Sequence, residues 1–186
     1  MEPVTLTTAR LVLSAPAEDD IDPITAGCQD PEVWRYTPVP FPYERHHAEE
    51  FVANTARWWD TGSDYVWSIH SPEAFAGMVG LHRVKGGEAE IGYWMSPGAR
   101  GRGYLTEAAR AVIDFAFAEP LKLERVEWRA VVGNVPSARS ARTLGFRYEG
   151  LLRAGLASPR GRDDGWIAGL LAGDDRSPQP WPVLES

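Results

Sequence analysis

Hydrophobic and polar positions change their period near the centre of this chain. Apolar residues occupy every second position between Ala89 and Met95, which is the pattern of a half-buried strand. After a short interruption, apolar residues recur at helical spacing from Leu105 to Phe115. The segment between them, residues 99–104, contains two glycines and two arginines. The pattern therefore predicts a strand that turns into a helix through a glycine-rich loop.

The same two periods divide the rest of the chain into further elements. Strands are predicted at 10–14, 65–70, 74–83, 88–95, 126–132, 146–153 and 166–171. Helices are predicted at 17–28 and 46–59, from the glycine-rich loop to the proline at 120, and from 134 to 144. Residues 30–43 carry four prolines among four aromatic rings, and we expect an ordered aromatic loop there. This order of elements indicates an α+β (mixed α/β) domain around one central sheet.

The length of 186 residues favours one domain with its own core, which we place at residues 1–173. Residues 174–186 are rich in proline and charge, and we expect a poorly ordered tail on the surface. Cys28 is the single cysteine, so an intrachain disulfide is excluded and a buried hydrophobic role is expected. The first residues do not resemble a signal peptide, and no apolar run reaches the roughly 18 residues of a membrane span. We therefore expect a cytoplasmic protein.

The formal net charge of −7 narrows the classes of partner. Surfaces that bind nucleic acid are usually basic, so the charge argues against that class of protein. The field of an acidic protein instead favours encounters with cationic or amine partners. The histidines are not placed as metal ligands, because His46 and His47 are adjacent on a predicted helix and the other two lie on separate strands. We expect no metal site.

The glycine-rich loop is a candidate phosphate site. A turn from a strand into a helix presents unpaired backbone N–H groups beside the positive end of the helix dipole. The dinucleotide-binding motif is excluded, because it needs a third glycine where this chain has Thr106 and because an uninterrupted run of three strands, from 65 to 95, precedes the loop. The P-loop of nucleotide triphosphatases is excluded as well, since no Gly-Lys-Ser/Thr sequence occurs. A different phosphate ligand is therefore expected.

A second motif lies one helix and one strand after the loop. It consists of Asn134 and Ser137, followed by the pair Gly145-Phe146. Together with the strand and the loop described above, these residues resemble the GNAT superfamily of acyl-CoA-dependent N-acetyltransferases. Within it they are most similar to the RimJ/RimL-like branch of ribosomal-protein N-acetyltransferases. The resemblance extends over most of the chain, from about Leu6 to Leu171.

The resemblance implies the GNAT acyl-CoA N-acyltransferase fold, with a central mixed, mostly antiparallel, twisted sheet flanked by helices. It also implies acetyl-CoA as co-substrate, its diphosphate on the loop and its pantetheine arm between strands 88–95 and 126–132. Gly103 is then required where the backbone approaches the diphosphate, while Leu105 departs from the family's small residue. The implied CoA-binding residues are Trp94, Met95, Ser96, Arg100, Gly101, Arg102, Gly103, Tyr104, Leu105, Thr106, Asn134 and Ser137.

Acetyl transfer to an amine needs a neutral nucleophile, an oxyanion stabiliser and a proton for the leaving thiolate. Glu90 is the first candidate for the base; the alternative is a strand carboxylate paired with a neighbour. Ser137 is the candidate acid; the alternative is a hydroxyl bonded to its own helix. For Asn134 the alternative to CoA binding is a helix N-cap. The backbone N–H near Met95 is expected to polarise the thioester carbonyl.

The acceptor is the least determined part of the prediction. Trp34, Tyr36 and Tyr43 are candidates for the walls of the acceptor site, and His82 either faces that site or lies in the core. The implied acceptor is a primary amine, either the N-terminus of a peptide or a small molecule. The alternative function is a domain that binds acyl-CoA without turnover. An exposed strand or helix face would allow a homodimer.

Overall fold

The computed structural model describes residues 1–185, and that part of the chain contains eight strands and five α-helices. The strands are β1 (Leu6–Thr7), β2 (Val12–Ser14), β3 (Tyr65–His70), β4 (Phe75–Lys85), β5 (Glu88–Met95), β6 (Arg125–Val131), β7 (Arg147–Ser158) and β8 (Gly161–Leu171). The helices are α1 (Ile21–Cys28), α2 (Pro31–Tyr36), α3 (Arg45–Thr61), α4 (Tyr104–Phe117) and α5 (Val135–Thr143). No helix among these residues is long and apolar enough to cross a membrane.

The strands form one sheet in the order β1-β2-β3-β4-β5-β6-β8-β7, in which β5 and β6 are parallel and the other pairs are antiparallel. This confirms the mixed, mostly antiparallel sheet. Leu81 and Ile91 point to the larger core, which includes α4 and α5, and we call this side the α4 face. Met78 and Trp94 point to a smaller core with α1 and α2, which we call the α1 face.

Most predicted elements are present, and two strands have the predicted bounds. Strands 65–70 and 88–95 coincide with β3 and β5. The predicted first strand, 10–14, is instead a short hairpin of β1 and β2. The expected aromatic loop at 30–43 is wrong in its first half, where α2 forms. Asp30 caps that helix by accepting hydrogen bonds from the N–H groups of Glu32 and Val33 at 2.9 and 3.2 Å, and Pro31 follows at the position where proline suits a helix.

The C-terminal half departs from the prediction in two places. The predicted turn at 158–165 is mostly strand, because β7 and β8 pair as far as Ser158 opposite Gly161. The expectation that residues 174–186 lie on the surface is wrong for Trp181, which is fully buried. Its indole N–H donates to Phe146 O at 3.0 Å, and its ring lies 5.4 Å from that of Trp128. The C-terminal segment therefore contributes to the larger core.

Replacing Trp181 by alanine should lower the free energy of unfolding by about 3–5 kcal/mol, the usual cost of removing a buried tryptophan. Urea unfolding followed by far-UV circular dichroism measures the change. Glu185→Ala, an exposed position in the same segment, is the matched control and should shift the stability by less than about 0.5 kcal/mol. Equal stability of the two variants would contradict the role of Trp181 in the core.

Candidate active site

Strands β5 and β6 separate halfway along their length. They pair from Glu88 opposite Arg125 up to Ile91 opposite Trp128; beyond that point β5 remains paired with β4, and β6 with β8. We call the opening between residues 92–95 and 129–131 the strand gap. A strand edge that has lost its neighbour leaves backbone N–H and C=O groups available, so an extended ligand can bind there like an additional strand.

Met95 presents its backbone to the strand gap. The N–H of Ser96 donates to Ala76 O at 2.9 Å, so the backbone of Ser96 faces β4. Alternate residues of an antiparallel ladder face the same neighbour, which gives Trp94 the same direction as Ser96 and turns Tyr93 and Met95 towards the gap. Of the three predicted residues Trp94, Met95 and Ser96, Met95 is therefore the one whose backbone N–H faces the strand gap.

The glycine-rich loop leads directly into α4. Gly101 and Gly103 have φ values of 73° and 76°, in the left-handed region that favours glycine. A Cβ on Gly103 would lie 3.5 Å from Arg10 Nη2, an ordinary contact, so the backbone conformation rather than crowding demands this glycine. Glu107 N–H donates to Gly103 O at 3.2 Å, which closes the first helical turn. The N–H groups of residues 104–106 precede that bond and point out of the helix end.

The turn between β1 and β2 holds the loop in place. Arg10 donates through Nε to Glu107 Oε2 at 2.7 Å and through Nη1 to Arg102 O at 3.0 Å. Thr8 Oγ1 donates to Glu107 Oε1 at 2.6 Å. Although partial burial opposes the effect, hydrogen bonds from Thr8 and Arg10 keep the pKa of Glu107 below its usual range. This link joins residues 97 positions apart, and Arg10 was predicted only as the start of a strand, with no role in the site.

The two loop arginines are engaged with acidic partners. Arg100 donates to Asp30 Oδ1 at 2.9 Å and to Met95 O at 3.2 Å, which ties the loop to the start of α2. Arg102 donates to Glu73 Oε2 at 2.6 Å. Of the other loop residues, Tyr104 is buried, with the Arg10 guanidinium 4.8 Å above its ring, and Leu105 packs against the main core. Tyr104 and Leu105 can therefore offer a ligand only their backbone N–H groups, because their side chains pack into the protein.

Ser137, Tyr93 and Trp128 form a triangle of hydrogen bonds on the α4 face beside the strand gap. Trp128 Nε1 donates to Tyr93 Oη at 2.9 Å and to Ser137 Oγ at 3.1 Å. Ser137 Oγ donates to Tyr93 Oη at 3.1 Å, and Tyr93 Oη donates to Ser137 O at 3.3 Å. Burial raises the pKa of Tyr93 to about 12 despite the opposing hydrogen bonds from Ser137 and Trp128, so the phenol keeps its proton at neutral pH.

The triangle adds two residues that the sequence analysis did not assign to the site, Tyr93 and Trp128. Their alternation along β5 and β6 indicated only that they are buried, and their meeting with Ser137 depends on how α5 packs. Asn134 is the N-cap of α5, since its Oδ1 accepts from Ser137 N–H at 3.3 Å. That bond sets the start of α5 beside Trp128.

Charged and titratable groups line the other side of the strand gap, on the α1 face. Glu90 is ion-paired with Arg83, and Arg129 Nε lies 3.8 Å from the same Glu90 oxygen. His82 Nδ1 lies 3.1 Å from Asp64 Oδ1. Glu90 and His82 are opposite each other in the β4–β5 ladder, so both predicted residues share this face.

The hairpin of β7 and β8 reaches across to α2. Arg160 at the hairpin turn donates to the carbonyl oxygens of Trp34, Arg35 and Thr37 at the end of α2. Its guanidinium lies 5.3 Å from the centroid of the Trp34 ring, which in turn lies 4.6 Å from the ring of Phe41. Trp34 is half-buried at this junction, and Tyr36 at the end of α2 is half-buried as well. Tyr43, the third predicted wall residue, is buried in the smaller core beside Cys28.

Comparison with known proteins gives the chain a family context. Residues 10–147, well over half of the chain, match the model of a family described as Acetyltransferase (GNAT) domain. YdaF of Bacillus subtilis (strain 168), provisionally named a ribosomal N-acetyltransferase, is 41% identical over 85 residues, which cover 45% of this chain and 46% of YdaF. The chain thus aligns with about half the length of that relative.

Longer matches cover most of the chain. The uncharacterized N-acetyltransferase p20 of Bacillus licheniformis is 29% identical over 153 residues, or 80% of this chain and 85% of p20. The structure of Mycobacterium smegmatis RimJ in complex with CoA-disulfide superposes with a TM-score of 0.83 at 20% identity, covering 92% of this chain and 90% of RimJ. At that identity the likeness to RimJ shows the shared fold.

Proposed function

Because this chain belongs to the GNAT acetyltransferase family, we propose that it transfers the acetyl group of acetyl-CoA directly to a primary amine. The observation that carries the proposal is the strand gap. One end of β5 leads into the glycine-rich loop, and the triangle of Ser137, Tyr93 and Trp128 flanks the gap on the α4 face. A thioester lying in the gap would have a phosphate site at one end and proton donors beside its sulfur.

In the proposed complex the N–H groups of residues 104–106 hold the diphosphate of CoA. A hydrogen bond to a charged group contributes about 1.5–3 kcal/mol, whereas a helix dipole contributes about 0.3–1 kcal/mol. The backbone donors should therefore dominate the affinity. The N–H of Met95 donates to the thioester carbonyl oxygen and stabilises the negative charge that develops there during attack. Arg100 and Arg102 contact the phosphates only after leaving Asp30 and Glu73.

The leaving thiolate takes its proton from a hydroxyl group of the triangle. The C–S bond breaks while the N–C bond forms, and the nitrogen of the neutral amine gives one proton to solvent as the amide forms. We assign Ser137 the role of passing a proton to the sulfur while Tyr93 Oη passes its own proton to Ser137 Oγ, and a proton from solvent then returns to Tyr93. This relay suits a protonated phenol, which is the state that the raised pKa of Tyr93 maintains.

The acceptor follows from the cost of making the amine neutral. An α-amine with a pKa near 7.7–8.0 is partly neutral at pH 7. The pKa of a lysine amine, near 10.4, lies about 3.4 units above pH 7, so removing its proton costs about 4.6 kcal/mol. The site offers no strongly basic group, so α-amines are the favoured class. The ribosomal N-acetyltransferase name of YdaF supports the N-terminus of a peptide as the first acceptor to test.

A thiol-release assay with acetyl-CoA tests the proposed acceptor class. The probes are peptide amides of sequence Xaa-Ala-Ala-Phe with a free α-amine, where Xaa is Gly, Ala, Ser or Met. Their partners are the same peptides with a blocked α-amine and an added lysine. We expect kcat/KM to be at least about 100-fold higher for the free α-amine, in line with the difference in neutral fraction. Equal values for the two sets would contradict the assignment.

A further inference from the structure

The ring of His82 lies over a pair of glycines at the edge of the strand gap. Gly80 and Gly92 are opposite each other in the β4–β5 ladder, on the α1 face. A Cβ built on Gly80 would lie 2.9 Å from His82 Nε2, and one built on Gly92 would lie 3.2 Å from the same atom. Any side chain at either glycine would therefore displace the ring. Gly92 is also the first residue of β5 beyond its last pair with β6.

Asp64 fixes the direction of the His82 ring. A carboxylate can only accept, so the 3.1 Å contact between His82 Nδ1 and Asp64 Oδ1 places the ring proton on Nδ1. The hydrogen bond from His82, followed by one from Ser63, lowers the pKa of Asp64, which keeps this carboxyl ionised at neutral pH. In the neutral ring Nε2 is then the nitrogen without a proton, and it lies over Gly92 beside the strand gap.

Glu90, the other candidate base, is held differently. The guanidinium of Arg83 contacts one Glu90 oxygen, and Arg129 approaches the same atom from β6. An incoming ammonium group would have to compete with Arg83 for that carboxylate, whereas Arg129 is paired chiefly with Glu127 Oε1, at 2.5 Å. The ring of His82 faces Asp64 on one side and the glycine pair on the other, so its free nitrogen meets no such competition.

We propose that His82, oriented by Asp64, accepts the proton of the acceptor amine. The proposal rests on the proposed function, since it needs an amine that attacks a thioester in the strand gap. The ammonium form of the acceptor gives one proton to Nε2, and the neutral nitrogen then forms the bond to the thioester carbon as the C–S bond breaks. The imidazolium is stabilised by Asp64 and releases its proton to solvent, because the His82 side chain is 37% exposed.

The pH dependence of this step involves the groups around His82. They are Asp64 and Ser63 ahead of β3, Arg83 on β4, Glu90 on β5, and Glu127 and Arg129 on β6. The two arginines stay charged at any pH of interest. Asp64 and Glu90 both place carboxylates near the ring, so a change in the rate profile is assigned by comparing the variants of His82, Asp64 and Glu90.

The test measures kcat/KM against pH for wild type, His82→Ala, Asp64→Asn and Glu90→Gln. The acceptor is the best α-amine peptide of the Xaa-Ala-Ala-Phe set. His46→Ala, an exposed histidine on α3 paired with Glu44, is the matched control. Imidazole and methylated imidazoles of different pKa are then added to His82→Ala, in which the space above Gly80 and Gly92 that the ring occupied is free to take them. Calorimetry with acetyl-CoA shows whether each variant still binds the donor.

We expect His82→Ala to lose about 100-fold in kcat/KM, with a pH profile that differs from wild type, while acetyl-CoA binding is retained. Added imidazoles should restore activity, to an extent that depends on the pKa of each compound. Asp64→Asn should lose about tenfold in kcat/KM. His82→Ala with the wild-type rate and profile would overturn the role of His82 alone, as would a loss of rate confined to Glu90→Gln. A wild-type protein inactive with every peptide would instead remove the proposed function on which this role rests.

Discussion

Gly103→Glu should reduce the affinity for acetyl-CoA by at least about 100-fold. The substitution places a carboxylate beside the N–H groups of residues 104–106, where the proposed complex has the diphosphate. Losing two charge-assisted hydrogen bonds of about 1.5–3 kcal/mol each accounts for that factor. The backbone at Gly103, with φ at 76°, also disfavours any side chain. Isothermal titration calorimetry with acetyl-CoA measures the change directly.

Gly86→Glu separates this effect from general strain. Gly86 lies in the β4–β5 turn with φ at 63°, and a Cβ there meets nothing within 4 Å. This control adds the same charge and similar backbone strain away from the loop, and its affinity should stay within about twofold of wild type. Should Gly103→Glu bind acetyl-CoA as tightly as Gly86→Glu does, the diphosphate cannot lie on this loop.

The double variant Tyr93→Phe/Ser137→Ala should lower kcat by about 100-fold while the affinity for acetyl-CoA changes little. Removing both hydroxyls leaves the thiolate without a neighbouring proton donor, and general acid catalysis is typically worth 10²–10⁴-fold. Ser137→Ala alone should lose about tenfold, because Tyr93 Oη remains hydrogen-bonded to Trp128 Nε1 at 2.9 Å. Steady-state kinetics with a saturating peptide acceptor give kcat, and calorimetry gives the affinity.

Ser140→Ala is the control for changes in α5. Ser140 Oγ donates to Pro136 O at 3.1 Å, a bond within the helix, so its loss should leave kcat within about twofold. If the double variant keeps the kcat of Ser140→Ala, the triangle has no part in protonating the thiolate. A loss of acetyl-CoA affinity equal to the loss in kcat would show instead that the hydroxyls bind the donor.

The parts of the fold that the sequence predicted correctly are those with local signals. The period-2 pattern of residues 88–95 coincides with β5, and the glycines at 101 and 103 occupy left-handed backbone positions. The short α2 was missed because its prolines and aromatic rings resemble a loop, although Asp30 before Pro31 is a recognisable helix start. Trp181 was misplaced because nothing in a proline-rich tail indicates that one ring enters the core.

The residues of the candidate site also divide into those with a local sequence signal and those without one. Residues that we propose to act through the backbone, such as Met95 and Gly103, could be found from their position between a strand and a helix. Contacts between distant side chains could not be predicted, because no local pattern specifies them. Ser137 meets Tyr93 across 44 positions, and His82 meets Asp64 across 18. The predicted Glu90 was correctly placed on the strand, while its ion pairs with Arg83 and Arg129 depend on how three strands align.

The central claim is that this chain moves an acetyl group from acetyl-CoA, bound along the strand gap, to an amine. Mass spectrometry of the Xaa-Ala-Ala-Phe peptides after incubation with acetyl-CoA tests it most directly, with wild type, Gly86→Glu and Gly103→Glu side by side. The account predicts one acetyl group on the α-amine for each thiol released, with wild type and Gly86→Glu active and Gly103→Glu inactive. Unmodified peptides with wild type, or equal acetylation by all three proteins, would contradict it.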